Sequence, residues 1–243
     1  MEKDLHLDHH ISHKYNDELD QLRQRVLVMG GLVEQQCRDA MRALLGRDAL
    51  LAETVATSDH EVNRLEVEIN AACTDILARR QPAASDLRML LAIIRMTADL
   101  ERVGDEAEKI GRLAVKLAGG HDKESCYAEL KHLGDNVLEM LHGALDSFAR
   151  LDVEAAIGVA ARDPDIDREF ESLTRLLVTQ MMEQPRVVKS MLQVNWCARA
   201  LERIGDHAVN LCEEVVFLVR GSDVRHLSQQ EIEEKYLGAG ESD

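Results

Sequence analysis

A six-residue phrase occurs twice in this chain, as Leu100-Glu101-Arg102-Val103-Gly104-Asp105 and, 101 residues further on, as Leu201-Glu202-Arg203-Ile204-Gly205-Asp206; only Val and Ile differ. A repeat of that length means that the chain is built twice from one plan. Each copy lies in a long stretch whose apolar residues recur every three or four positions. Each phrase therefore sets two carboxylates four residues apart, on one face of a helix.

The same periodicity predicts six helices, two of which carry the phrases. Leu19, Leu22, Val26, Met29, Val33, Ala40 and Leu44 mark a first helix of about thirty residues from near Tyr15. A second runs from Asp48 to Arg80 and stops at Gln81-Pro82. A third starts with Ser85 as its N-cap and ends at Gly119-Gly120. The second triplet covers Cys126 to Arg150, Asp152 to Glu183 and about Arg186 to Arg220, with Gln184-Pro185 as the matching stop. Pro164 is expected to kink the middle helix of this triplet or to restart it at Asp163. The fold class that follows is all-α: two tandem, pseudo-symmetric three-helix bundles, six long helices in all. Residues 1–120 form the first repeat, 121–221 the second and 222–243 a tail in which Gln229 to Leu237 can add a helical turn.

Composition narrows the function. Acidic residues number 45 against 29 basic, a net charge of −16, so phosphate-rich nucleic acid is repelled and no nucleic-acid partner is expected. Five scattered cysteines without a C-x-x-C point to reduced thiols and a cytoplasmic setting. The longest unbroken apolar run, Met89 to Ile94, is far short of the roughly 20 residues a membrane span needs. Contact with a membrane would come only through partners. The lone Trp196 is expected to pack rather than to bind.

Each helix hairpin brings oxygen donors together. Counting equal distances either side of Pro82 sets Asp59 and Asn63 level with Glu101 and Asp105. Counting from Pro185 sets Asp163 and Asp167 level with Glu202 and Asp206. Charges beside an apolar stripe usually form a solvated face. Duplication and opposition in both hairpins favour a cation site instead. Bare carboxylates 4 Å apart repel by about 4 kcal/mol at an effective dielectric of 20, so such groups protonate or gather a cation. Oxygen-only donors suit Mg²⁺, Mn²⁺, Ca²⁺ or iron, and suit structural zinc poorly. Glu108 and Asn210 are weaker candidates, and His207 is expected beside the site rather than in it. Glu129-x-x-His132 and Glu139-x-x-His142 lie on one helix, so their metal-like spacing is read as chance.

At these residues the chain resembles the PhoU family. The resemblance is carried by Met29-Gly-Gly-Leu-Val-Glu-Gln-Gln36, Arg80-Gln-Pro-x-x-Ser-Asp-Leu-Arg88, the first acidic phrase, Met181-Met-Glu183 and Cys197-Ala-Arg-x-Leu-Glu-Arg-Ile-Gly-Asp-His207. It implies a non-enzymatic, cytoplasmic negative regulator of the phosphate-starvation response. Such a regulator bridges the ATPase subunit of a high-affinity phosphate transporter and the PAS region of a sensor histidine kinase. It also implies a homodimer and a divalent metal ion (magnesium, manganese, iron or zinc) on paired E(D)-x-x-x-D motifs. Glu101, Asp105, Asp163, Asp167, Glu202 and Asp206 match that pattern, whereas Asn63 places an amide where the second half has Asp167. Two other readings compete: a metal-dependent phosphohydrolase and a metal-free structural adaptor.

Overall fold

The computed structural model describes residues 13–58, 60–119, 125–225, 227 and 229–236. These form helices α1 (His13–Gly46), α2 (Ala49–Val55), α3 (His60–Arg79), α4 (Ala84–Leu117), α5 (Ser125–Arg150), α6 (Val153–Ala160), α7 (Asp163–Glu183), α8 (Val188–Arg220) and α9 (Gln229–Tyr236). A single 3₁₀ turn, Pro185–Val187, joins α7 to α8.

The expected middle helix of each half is in two pieces. In the second half Pro164 restarts the helix. It sits in the first turn of α7, where an absent N–H costs nothing. No proline marks the break between α2 and α3. There the hydroxyls of Thr57 and Ser58 turn back on the carbonyls of Glu53 and Val55, at 3.0 and 2.9 Å. Side-chain bonds of this kind offer the backbone an alternative to the helical ladder. Gly111 of α4 lies against this break: a Cβ there would stand 3.0 Å from the backbone nitrogen of Ala56.

Both halves enter the middle helix through the same turn. Arg47 and Leu151 hold left-handed φ angles of 52° and 54°. The next residue, Asp48 or Asp152, caps the helix by accepting from the backbone N–H of Leu51 or Ala155, each at 3.0 Å. The cap expected at Ser85 is displaced: α4 starts at Ala84, and the Ser85 hydroxyl faces the buried Asp86 carboxylate at 3.4 Å. The Gly30-Gly31 pair leaves α1 unbroken. Gly30 lets α5 approach, since a Cβ would meet Leu145 at 2.5 Å.

The apolar stripes predicted from the sequence face inward and form one continuous core running through both halves. The most extensive helix contact is between α4 and α8, followed by α1 with α4 and α5 with α8. Three pairs fix the α4–α8 register: Arg95 with Glu214 at 3.3 Å, Asp99 with Asn210 at 2.9 Å and Glu106 with Arg203 at 2.9 Å. The helices run antiparallel, and the register brings Gly104 level with Gly205, both buried. The duplicated phrases thus cross at the centre of the molecule, as a pseudo-twofold relation requires. After Gly221, whose φ of 73° ends α8, Val224 and Ile232 of the tail close over Val153, Ile157 and Val216. Trp196 departs from expectation: it is half exposed.

Candidate metal centre

Two side-chain bonds fix the register of the hairpins that carry the acids. Thr174 on α7 donates to Asn195 on α8 at 3.1 Å, and Thr97 on α4 donates to Asn70 on α3 at 3.2 Å. In the second half, Asp163 lies eleven residues before Thr174 and Asp206 eleven after Asn195. Asp167 lies seven before and Glu202 seven after. Seven and eleven residues are close to whole numbers of turns, so all four carboxylates face the line between the two helices. The small residual rotations sort them by depth. Asp163 and Glu202 turn about 20° toward the core, and Asp167 and Asp206 about 20° toward solvent. Burial follows the same order. Glu202 is buried, Asp163 half-buried, and Asp167 and Asp206 are exposed.

The four acids act on one another. Burial, then the charges of Asp167 and Asp206, push the Asp163 carboxyl up to about 6. Burial and the charge of Asp206 raise Glu202, and burial and the charge of Asp167 raise Asp206. Arg199 offsets part of this, donating to Glu202 Oε1 at 2.8 Å. Glu202 Oε2 is buried without a hydrogen-bond partner. A buried acceptor left in that state costs about 1–3 kcal/mol. A cation among the four acids would satisfy Oε2 and cancel the repulsion, so the donor chemistry fits a hard divalent ion. Among the described residues, however, no group of three or more His, Cys, Asp or Glu side chains is arranged to hold an ion. The acids line the groove without closing on one point.

In the first half, Asp59 lies outside the described residues. Asn63, seven before Asn70, is level with Gly104 and so falls between Glu101 and Asp105; all three donors are half-buried. Glu101 Oε2 stands 3.5 Å from Arg102 Nε. Glu108 is tied to Arg112 on its own helix, and Asn210 donates to Asp99, so both weaker candidates are engaged elsewhere. His132 and His142 lie against Glu169 and Glu34 at 3.4 and 2.9 Å, not against the glutamates three residues before them.

The sequence did not announce the network behind the two phrases. Asp99 receives both His207 Nδ1, at 2.8 Å, and Asn210 Nδ2. Glu106 receives Arg203 and, at 2.8 Å, Lys109. At the duplicated spacing Asp99 corresponds to Ala200 and Glu106 to His207, so no repeated letter points to either residue. Arg203 ties the second phrase to α4, and Asp99 and Glu106, on either side of the first phrase, tie α4 to α8.

The family model for the PhoU domain matches this chain twice, over residues 26–114 and 130–215. The chain belongs to the PhoU family. It is 48% identical to the phosphate-specific transport system accessory protein PhoU homolog of Pseudomonas putida, over 98% of this chain and 93% of that one. It is 43% identical to the phosphate-specific transport system accessory protein PhoU of Escherichia coli K12, over 98% of each. The crystal structure of PhoU from Pseudomonas aeruginosa superposes with a TM-score of 0.83 at 47% identity, covering 86% of this chain and all of that one. The phosphate transport system regulatory protein PhoU from Streptococcus pneumoniae superposes with a TM-score of 0.80 at 30% identity, covering 86% and 99%. No helix among the described residues is long and apolar enough to cross a membrane.

Proposed function

We propose that this PhoU-family chain is a non-enzymatic accessory of a phosphate-uptake system that represses the phosphate-starvation response. The observation that carries this reading is near-full-length similarity, at 43–48% identity, to proteins named as accessories of phosphate-specific transport. In this reading the chain links the transporter's ATPase subunit to the PAS region of a sensor histidine kinase, and does so as a homodimer in the cytoplasm. Deleting the gene is expected to switch phosphate-starvation genes on at high phosphate. A deletion strain with a normal phosphate response would overturn the proposal.

The acidic grooves are proposed to hold divalent cations. Asp163, Asp167, Glu202 and Asp206 would hold one between α7 and α8; Asn63, Glu101 and Asp105 would hold another between α3 and α4, with Asp59 the fourth donor that the sequence offers. The ion would supply positive charge where four acids share a groove. The unsatisfied Glu202 Oε2 supports this, as does the inward pair Asp163 and Glu202. The competing reading is a metal-free adaptor. Titration calorimetry with Mn²⁺ and Mg²⁺ on chelator-treated protein separates the two. Glu202→Gln is expected to weaken binding by about tenfold or more. Equal, weak binding by wild type and variant would leave the adaptor. Turnover of phosphoesters with Mn²⁺ would instead reveal a hydrolase.

A further inference from the structure

Five of the nine exposed large apolar side chains among the described residues fall within one short stretch: Val178, Met182, Val188, Leu192 and Trp196. Met182 is 80% exposed and Trp196 50%. The Thr174–Asn195 bond shows which way they face. At 100° per residue, Val178 and Met182 lie about 40° and 80° round α7 from Thr174. Val188, Leu192 and Trp196 lie about 20°, 60° and 100° round α8 from Asn195. The helices are antiparallel and of one hand, so these rotations open to the same side. Buried Leu177, Met191 and Val194 lie to the other side. The five residues therefore form one outward surface at the turn end of the hairpin.

Its rim is mostly basic in a strongly acidic protein, with exposed Glu171 and Glu183 the acidic exceptions. Arg175, Arg186 and Lys189 flank the apolar residues, all exposed, and none makes an ion pair among the described residues. Most of the other arginines are committed to carboxylates, as Arg162 is to Glu139 and Arg203 to Glu106. An uncommitted positive rim around bare apolar side chains, on a chain of net charge −16, selects an acidic partner.

We propose that this face docks an amphipathic helix of a partner protein, its apolar stripe on Met182, Leu192 and Trp196 and its acidic flanks on Arg175, Arg186 and Lys189. The size of the patch decides against a lipid surface. From Val188 to Trp196 is about 12 Å of helix, the footprint of roughly two to three turns of a partner helix. A bilayer extends well past that footprint and meets the acidic remainder of the molecule, whereas a short helix stays within about 8 Å, one Debye length, of the basic rim. This inference does not depend on ion binding in the groove.

Trp196 is the chain's only tryptophan, so its emission reports on this patch alone. A capped amphipathic peptide with leucine at i, i+3, i+4 and i+7 and glutamate elsewhere should shift that emission to the blue, saturably. The double variant Arg175→Glu/Lys189→Glu should bind it about tenfold more weakly, and Met182→Asp should lose most of the shift; both changes are at exposed positions, and circular dichroism should be unaltered. In cells, a photo-cross-linker at Leu192 should map to an acidic-flanked helix of another protein. The proposal is overturned by any of four results: no shift with this peptide, an equal shift with its lysine analogue, a shift only with phosphatidylglycerol–phosphatidylethanolamine vesicles, or cross-links only between copies of this chain.

Discussion

Asp163 shows how the acidic groove taxes the fold. Its carboxyl is raised from the usual 3.8 to about 6 by burial and by Asp167 and Asp206. The native state therefore holds this proton more tightly than the unfolded chain does. Stability is highest below about pH 4 for this group and falls as pH rises through the window from about 4 to about 6. About two units correspond to roughly 3 kcal/mol, reduced to about 1 kcal/mol by solvent screening of a half-buried group. Asp163→Asn should accordingly raise the melting temperature of chelator-treated protein at pH 7.5 and leave it nearly unchanged at pH 4. Thermal denaturation at the two pH values checks this, and equal effects at both would show that the charge is not the cause. Glu202 and Asp206 stood out in the sequence through duplication, and Asp163 and Asp167 through equal counting from Pro185. Asp99 and Glu106 were not, having no repeated counterpart. Trp196 was misread because an aromatic residue beside buried neighbours has no local signal for exposure: Val194 and Cys197 face the core, and one residue of helical rotation turns the indole outward.

At the scale of the element, the caps repeat as faithfully as the phrases. Asp48 and Asp152 each follow a left-handed residue and each satisfy a backbone N–H of the next helix. Replacing either by alanine is expected to cost about 1 kcal/mol. The two losses should add, because the caps lie in different halves and share no partner. Urea denaturation of both single variants and the double variant measures this; a double variant no less stable than either single one would disprove independent caps. Helix positions were legible because apolar periodicity survives over twenty or more residues. The break between α2 and α3 was not, because Thr and Ser are tolerated in helices. It takes the bonds from Thr57 and Ser58 and the close approach of Gly111 to show that the chain turns there. Pro164 announced its break through the covalent ring itself.

At the scale of the molecule, the crossing of α4 and α8 is expected to make the two repeats unfold as a single cooperative body. The core runs unbroken through both halves, and charged pairs bridge the crossing helices. Glu214 is 4% exposed and is held by Arg95, whose guanidinium also lies 5.1 Å from the Phe217 ring. Burial raises Glu214 toward its neutral form, and Arg95 opposes that shift. Arg95→Ala removes the nearest opposing charge and leaves the buried carboxylate with only the weaker influence of Arg225, a change expected to cost up to about 3 kcal/mol. Because Arg95 belongs to the first repeat and Glu214 to the second, the loss should appear in both. Unfolding followed by hydrogen exchange should show α1 and α5 losing protection together, in one transition shifted to lower denaturant. Restoring an apolar contact with Arg95→Met/Glu214→Leu should recover most of the loss, since a buried pair exchanged for matched hydrocarbon is near neutral. If Arg95→Ala loosened only the helices of one repeat, α4 and α8 would be a contact between separate units.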